Sequence, residues 1–186
     1  MLPPYTISGV LPPFLGSAPT ARAQSSPYRV SLLEAVKHFD KSPERRAILH
    51  GLIQHREALR NLGIVKGVQW LDGSFVEDCE GLRNRAPSDV DVVTLASRPV
   101  SANDKASWDA LVAANQLVFT PSAARAAFRC DAYFVDLDSD PQLILRTAIY
   151  FFGLFSHQRT SSLWKGMVEV PLTTTDDDVL NYLANH

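Results

Sequence analysis

The segment from Leu71 to Val92 holds the residues best suited to chemistry: a Gly73-Ser74 pair after one apolar run, and Asp89-Val90-Asp91 opening the next. Side chains on a strand alternate between faces, so Asp89 and Asp91 point one way while Val90 and Val92 enter an apolar layer on the other. Two carboxylates on one face repel unless a cation lies between them. Hard oxygen donors of this kind suit Mg²⁺ or Mn²⁺ carrying a triphosphate. The Gly-Ser turn suits the same ligand. Gly73 lets backbone approach a phosphate, and the Ser74 hydroxyl with nearby backbone N–H groups can donate to it.

These residues need a folded body to hold them, and 186 residues is the length of one domain. A hydrophobic share of 46%, a charged share of 20% and a mean hydropathy of -0.05 are those of a water-soluble globular chain. A net charge of -2 argues against a protein that grips long nucleic acid by its phosphates. Cys79 and Cys130 make neither a disulfide framework nor a zinc site, so a reducing, cytoplasmic compartment is expected. The N-terminal stretch is cut by prolines and has no basic region before its apolar residues, which argues against a signal peptide.

Six of the twelve prolines lie at positions 3, 4, 12, 13, 19 and 27, so residues 1–27 read as an extended arm. Residues 28–186 then form a single domain, with a core over about 42–140 and a helix and strand extension over about 141–186. Ser31 and Ser42-Pro43 cap two helices, the second running to Leu62 and stopping at Gly63. Strands are predicted over Val65 to Leu71, Asp89 to Leu95, Asp131 to Leu137 and Gly166 to Leu172, with a long loop between the first two. Helices are predicted from Asn103 to about Leu117, from Thr120-Pro121 through Phe128, and from Asp140-Pro141 to about Phe155. Thr174 or Thr175, ahead of three aspartates, would open a terminal helix. This pattern predicts an α/β (α+β) fold, a mixed sheet flanked by helices.

Gly73-Ser74 followed by Asp89-Val90-Asp91 resembles the DNA polymerase beta superfamily of nucleotidyltransferases. In that superfamily a Gly-Ser turn precedes Asp-x-Asp, and a third carboxylate stands on a neighbouring strand. The Leu-Pro-Pro element, WLDGSFVED, PSDVDVV, CDAYFV and KGMVEV together look like an uncharacterised bacterial and phage family of nucleotidyltransferase-like proteins. The resemblance implies that Asp131, at the head of its strand, is the third acid; Asp136 competes, but by alternation it faces the other side. Asp89, Asp91 and Asp131 would then be both catalytic and metal ligands, with Mg²⁺ or Mn²⁺ as cofactor, a nucleoside triphosphate as substrate, and a protein, RNA or small-molecule hydroxyl as acceptor. On the same resemblance Arg83, Arg85, Arg159 and Lys165 are the available cations for phosphate oxygens, and Lys165 joins Gly73 and Ser74 in the nucleotide-binding set. Where better-known minimal nucleotidyltransferases continue Gly-Ser with Ala-Arg-Gly, this chain has Phe75-Val76-Glu77-Asp78.

A reading from another class is a catalytically silent binding module that acts through a protein partner, as antitoxin or phage-defence components do. Between Lys41 and Lys66, six cations (Lys41, Arg45, Arg46, Arg56, Arg60, Lys66) outnumber Glu44 and Glu57 by four. Such a helix is either an ordinary solvated face or a docking surface for RNA or an acidic partner. Arg45 and His50 also stand at an Arg-x₄-His spacing similar to that of HEPN ribonuclease toxins.

Overall fold

The computed structural model describes residues 1–17, 21–159, 161–173 and 176–186. In chain order the elements are β1 (Tyr28–Arg29), α1 (Leu32–Phe39), α2 (Pro43–Asn61), β2 (Gly67–Asp72), α3 (Cys79–Arg83), β3 (Val90–Ala96) and α4 (Lys105–Ala114). They continue as α5 (Gln116–Phe119), α6 (Pro121–Phe128), β4 (Cys130–Asp136), α7 (Pro141–Phe155), β5 (Val168–Pro171) and α8 (Asp177–Asn185). Three of the expected caps are formed, while Thr120 makes no capping bond to its helix. Ser31 accepts from the Glu34 amide, Ser42 from the Arg45 amide, and Asp140 from the amides of Gln142 and Leu143. No helix among the described residues is long and apolar enough to cross a membrane.

The fold is mixed α/β, with one five-stranded sheet in the order β1-β5-β2-β3-β4. The three strands that carry the motif are neighbours, β2 antiparallel to β3 and β3 parallel to β4. Alternation divides the sheet into two layers. Val90, Val92 and Ala132 face Leu49, Leu52 and Ile53 of α2, whereas Val93, Leu95 and Val135 face Phe151 and Phe155 of α7. A third cluster, with Trp108, Val118 and Phe134 around Leu59 of α2, closes the β4 side.

Four expectations are corrected. The segment expected as an extended arm packs onto the body through described residues: Leu2, Val10 and Leu11 are buried, and the Leu11 carbonyl accepts from the Gly166 amide at 2.7 Å. The loop after β2 carries a 3₁₀ turn over Gly73–Val76 and then α3, whose cap is Asp78. The helix expected from Asn103 breaks at Asn115, whose side-chain amide bonds the Leu111 carbonyl at 2.8 Å and competes with helical continuation. Two cations of the basic helix are not surface charges, because Arg45 and Arg56 are 1% exposed. Arg56 pairs with Asp176, Arg46 with Asp40, and Arg45 with Glu80 while donating to the carbonyls of Phe75 and Glu77. With Arg45 enclosed and His50 exposed, the Arg-x₄-His spacing brings together no site. Thr174 and Thr175 lie outside the described residues; α8 follows Asp176.

Helix α2 holds α6 at backbone contact. A Cβ built on Gly51 would stand 1.9 Å from the Phe128 carbonyl oxygen. Helix propensity alone would make Gly51→Ala stabilising by about 1 kcal/mol. We expect the opposite sign, a loss of at least ~2 kcal/mol, because backbone cannot yield as a flexible side chain can. Urea unfolding of the two proteins checks it, and a more stable variant would show that this helix contact is not tight.

Candidate active site

The register of the sheet builds the site. Asp72 ends β2 opposite Asp91 of β3, and Asp91 stands opposite Asp131 of β4, so three carboxylates form one row across three adjacent strands. Asp89, just ahead of β3, extends this rim. The turn after Asp72 passes directly over the row. Gly73 has φ +79°, and a Cβ there would come within 2.6 Å of the Asp91 Oδ2, so both its conformation and its contact demand glycine. Ser74 follows on the same turn.

These groups line a cavity of about 600 Å³, with Asp72, Gly73, Ser74, Asp89 and Asp91 on one side and Arg83, Arg85, His157, Gln158 and Arg159 among the residues on its wall. Asp131 does not line it, but Arg125, which does, is paired with Asp131. Asp136 lies at the far end of β4, bound to Arg98 at 2.7 Å. Alternation therefore separates the two acids as expected, with Asp131 on the site face.

Lys165 has a different place from the one expected. It is 3% exposed, and its ammonium bonds Asp72 Oδ2 and Glu77 Oε1 at 3.0 Å each and the Gly73 carbonyl at 3.2 Å. Three donors are thus committed to the two ends of the Gly-Ser turn, which makes Lys165 a brace for the turn and leaves it no hydrogen for a phosphate. Arg83 and Gln158 hold the other oxygen of Glu77. Sequence reasoning missed Asp72, Glu77 and Arg125. Arg125, the one charge in the alanine-rich Pro121–Phe128 helix, was the most visible of them.

Charge in the row is balanced only at its ends. Lys165 serves Asp72, although burial still pushes that carboxyl up to about 7. Arg125 bridges Asp89 and Asp131, with N–O distances of 2.8 and 2.7 Å. Asp91, between them, is pushed up to about 6, first by burial and then by the charges of Asp131 and Asp89. The Asp72 Oδ1 is buried with no hydrogen-bond partner. The donor type, the uncompensated Asp91 and this orphaned oxygen fit a hard divalent cation. The Asp89 and Asp131 carboxylates are turned toward Arg125, and among the described residues no three acids, histidines or cysteines gather closely enough to hold an ion.

Residues 3–171 match a family of unknown function, DUF6932, and the chain belongs to it. No curated protein and no solved structure matches it significantly.

The raised Asp91 generates a stability prediction. Its folded carboxyl holds a proton up to about 6 against an ordinary 3.8, so the folded state binds that proton more tightly and the group stabilises the fold as pH falls through this window. Above it the charge is a burden. Asp91→Asn should therefore raise stability at pH 8 by about 1 kcal/mol, or roughly 2–4 °C in Tm. That advantage should shrink as the pH drops from 6 toward 4. Thermal melts across this range test it; a wild-type protein more stable than the variant at pH 8 would refute it.

Proposed function

We propose that this family member is a metal-dependent nucleotidyltransferase, moving a nucleoside monophosphate from a triphosphate onto a hydroxyl of a protein, an RNA end or a small molecule. The observation that carries this reading is the arrangement of Asp89, Asp91 and Asp131 on the rim crossed by the Gly73-Ser74 turn, beside a cavity large enough for a nucleotide. Asp89, Asp91 and Asp131 are the residues that would hold Mg²⁺ or Mn²⁺. Such an ion, when bound, supplies neutralisation of phosphate charge and a lowered pKa for a coordinated hydroxyl.

The chain's own residues do the rest. Ser74 and the backbone N–H groups of its turn donate to phosphate oxygens, in an orientation that Lys165 keeps by clamping Asp72, Glu77 and the Gly73 carbonyl. Arg85 and Arg159 on the cavity wall supply cations to the triphosphate. Asp131 accepts the proton of the acceptor hydroxyl. The acceptor oxygen bonds to the α-phosphorus, the bond from that phosphorus to the bridging oxygen breaks, and pyrophosphate leaves with the electron pair. Two free, buried cysteines are consistent with a reducing, cytoplasmic setting.

One observation favours the second reading, a silent nucleotidyltransferase-like module that works through a protein partner in an antitoxin or defence role. The Arg125 guanidinium already neutralises part of the acidic row. A single set of measurements separates the two. An enzyme of this design binds a triphosphate only with Mg²⁺ or Mn²⁺, because the bare anion meets carboxylates and is repelled. We expect calorimetry to show metal-dependent binding, and labelled triphosphate with cell extract to leave label on a protein or RNA. Replacing Asp89 and Asp91 by Ala should reduce labelling by at least ~100-fold while the protein stays folded. Absence of triphosphate binding under every metal condition would transfer support to the silent module.

A further inference from the structure

Arg125 stands on α6, whose buried Ala124 packs into the core, and its own side chain is 52% exposed at the cavity rim. Among the described residues its guanidinium touches two partners, Asp89 through Nε and Asp131 through Nη2. These are oxygens that a divalent ion would need. A guanidinium hydrogen and a metal compete for the same carboxylate lone pairs, so both cannot hold these oxygens at once.

The competition is uneven. Arg125 brings one positive charge to a row holding Asp72, Asp89, Asp91 and Asp131, of which Lys165 compensates only Asp72. Asp91 has no ion pair with either cation, so a second positive charge beside it is favourable. Half of the Arg125 side chain lies in solvent, so releasing its two carboxylates leaves no buried cation without a partner. The arm is long, lines the cavity, and ends in a planar fork matched to phosphate oxygens.

We propose that Arg125 is a displaceable counter-cation: it bridges Asp89 and Asp131 until a divalent ion takes those oxygens, and then turns into the cavity to bind the phosphates of the incoming triphosphate. This rests on the nucleotidyltransferase reading and deepens it. The same side chain lowers affinity for the free ion and raises affinity for the ion-bound triphosphate, so the acids favour loading metal and nucleotide together.

The test is calorimetry on the full chain, with Mn²⁺ alone and then with Mn²⁺ plus each of the four ribonucleoside triphosphates. Removing the competitor in Arg125→Ala should tighten Mn²⁺ binding roughly fivefold and weaken binding of the best triphosphate roughly tenfold. Arg125→Gln, closer in size, guards against a packing defect and should behave the same way. Arg125→Lys keeps the charge without the fork and should fall between. Arg85→Ala removes a charge from the same wall without touching an acid, and should leave free Mn²⁺ affinity within about twofold. Equal Mn²⁺ affinity in wild type and Arg125→Ala, equal tightening by Arg85→Ala, or unchanged triphosphate affinity overturns the counter-cation and leaves the nucleotidyltransferase reading standing. No Mn²⁺ or triphosphate binding by any of the proteins removes both.

Discussion

The register across β2, β3 and β4 puts Asp72, Asp91 and Asp131 abreast, and neighbouring strands are only about 4.8 Å apart. Like charges at that spacing oppose the pairing of the strands that carry them. What offsets the opposition is distributed. Apolar partners one residue away on each strand, Leu71, Val90, Val92 and Ala132, hold the register from the opposite layer. Cations reach the row from outside the sheet, Lys165 from the segment before β5 and Arg125 from α6. The turn over Gly73 is possible only because glycine leaves room for the Asp91 carboxylate. The site is therefore the place where the sheet's pairing is least favourable, and the surrounding elements are arranged to tolerate it.

Much of this was legible in the amino-acid order. Period-two alternation located the three strands that carry the motif and set Asp131 apart from Asp136, because a strand's two faces follow from counting. Local cap chemistry located the helix starts, since Ser31, Ser42 and Asp140 act within three residues of themselves. What escaped depends on contacts distant in the chain. The proline-rich N-terminal segment looks unstructured by itself, yet Leu11 bonds Gly166 across the molecule. Arg45 and Arg56 look like surface charges until Glu80 and Asp176 arrive from elsewhere. Lys165 looks like a free cation until Asp72 and Glu77, about ninety residues earlier, enclose it. Composition and spacing hold no term for such pairings.

Buried charge is used here in two ways that differ in consequence. Arg45 ties α2 to the segment after the Gly-Ser turn, and Arg56 ties it to Asp176 ahead of α8. Both are paired and hydrogen-bonded, as a charge must be to persist inside a protein. They stabilise connections that alternation alone could not specify, and neither opens to the cavity. The Lys165 cluster is equally enclosed, but one of its members is orphaned, since the Asp72 Oδ1 has no partner. The Arg45 and Arg56 guanidiniums have all their nitrogens bonded; the Asp72 carboxylate beside the cavity does not have both its oxygens bonded.

That contrast bears on the choice between a working site and a silent module. A chain kept only for its fold gains nothing from Asp91, whose charge is opposed by burial and by two neighbouring acids. An amide in its place would pack as well and repel nothing. Local rules that a sequence otherwise obeys are most often broken where a function requires it. Here the breach lies on one rim, beside a glycine whose positive φ and close contact with Asp91 disfavour a side chain, and a cavity with room for a substrate. Arg125 neutralises the two outer acids from a half-exposed position, while the central one stays without a partner. A fold that had lost its chemistry would be free to neutralise that last carboxylate; an uncompensated Asp91 instead accords with the proposal that a ligand cation is its partner.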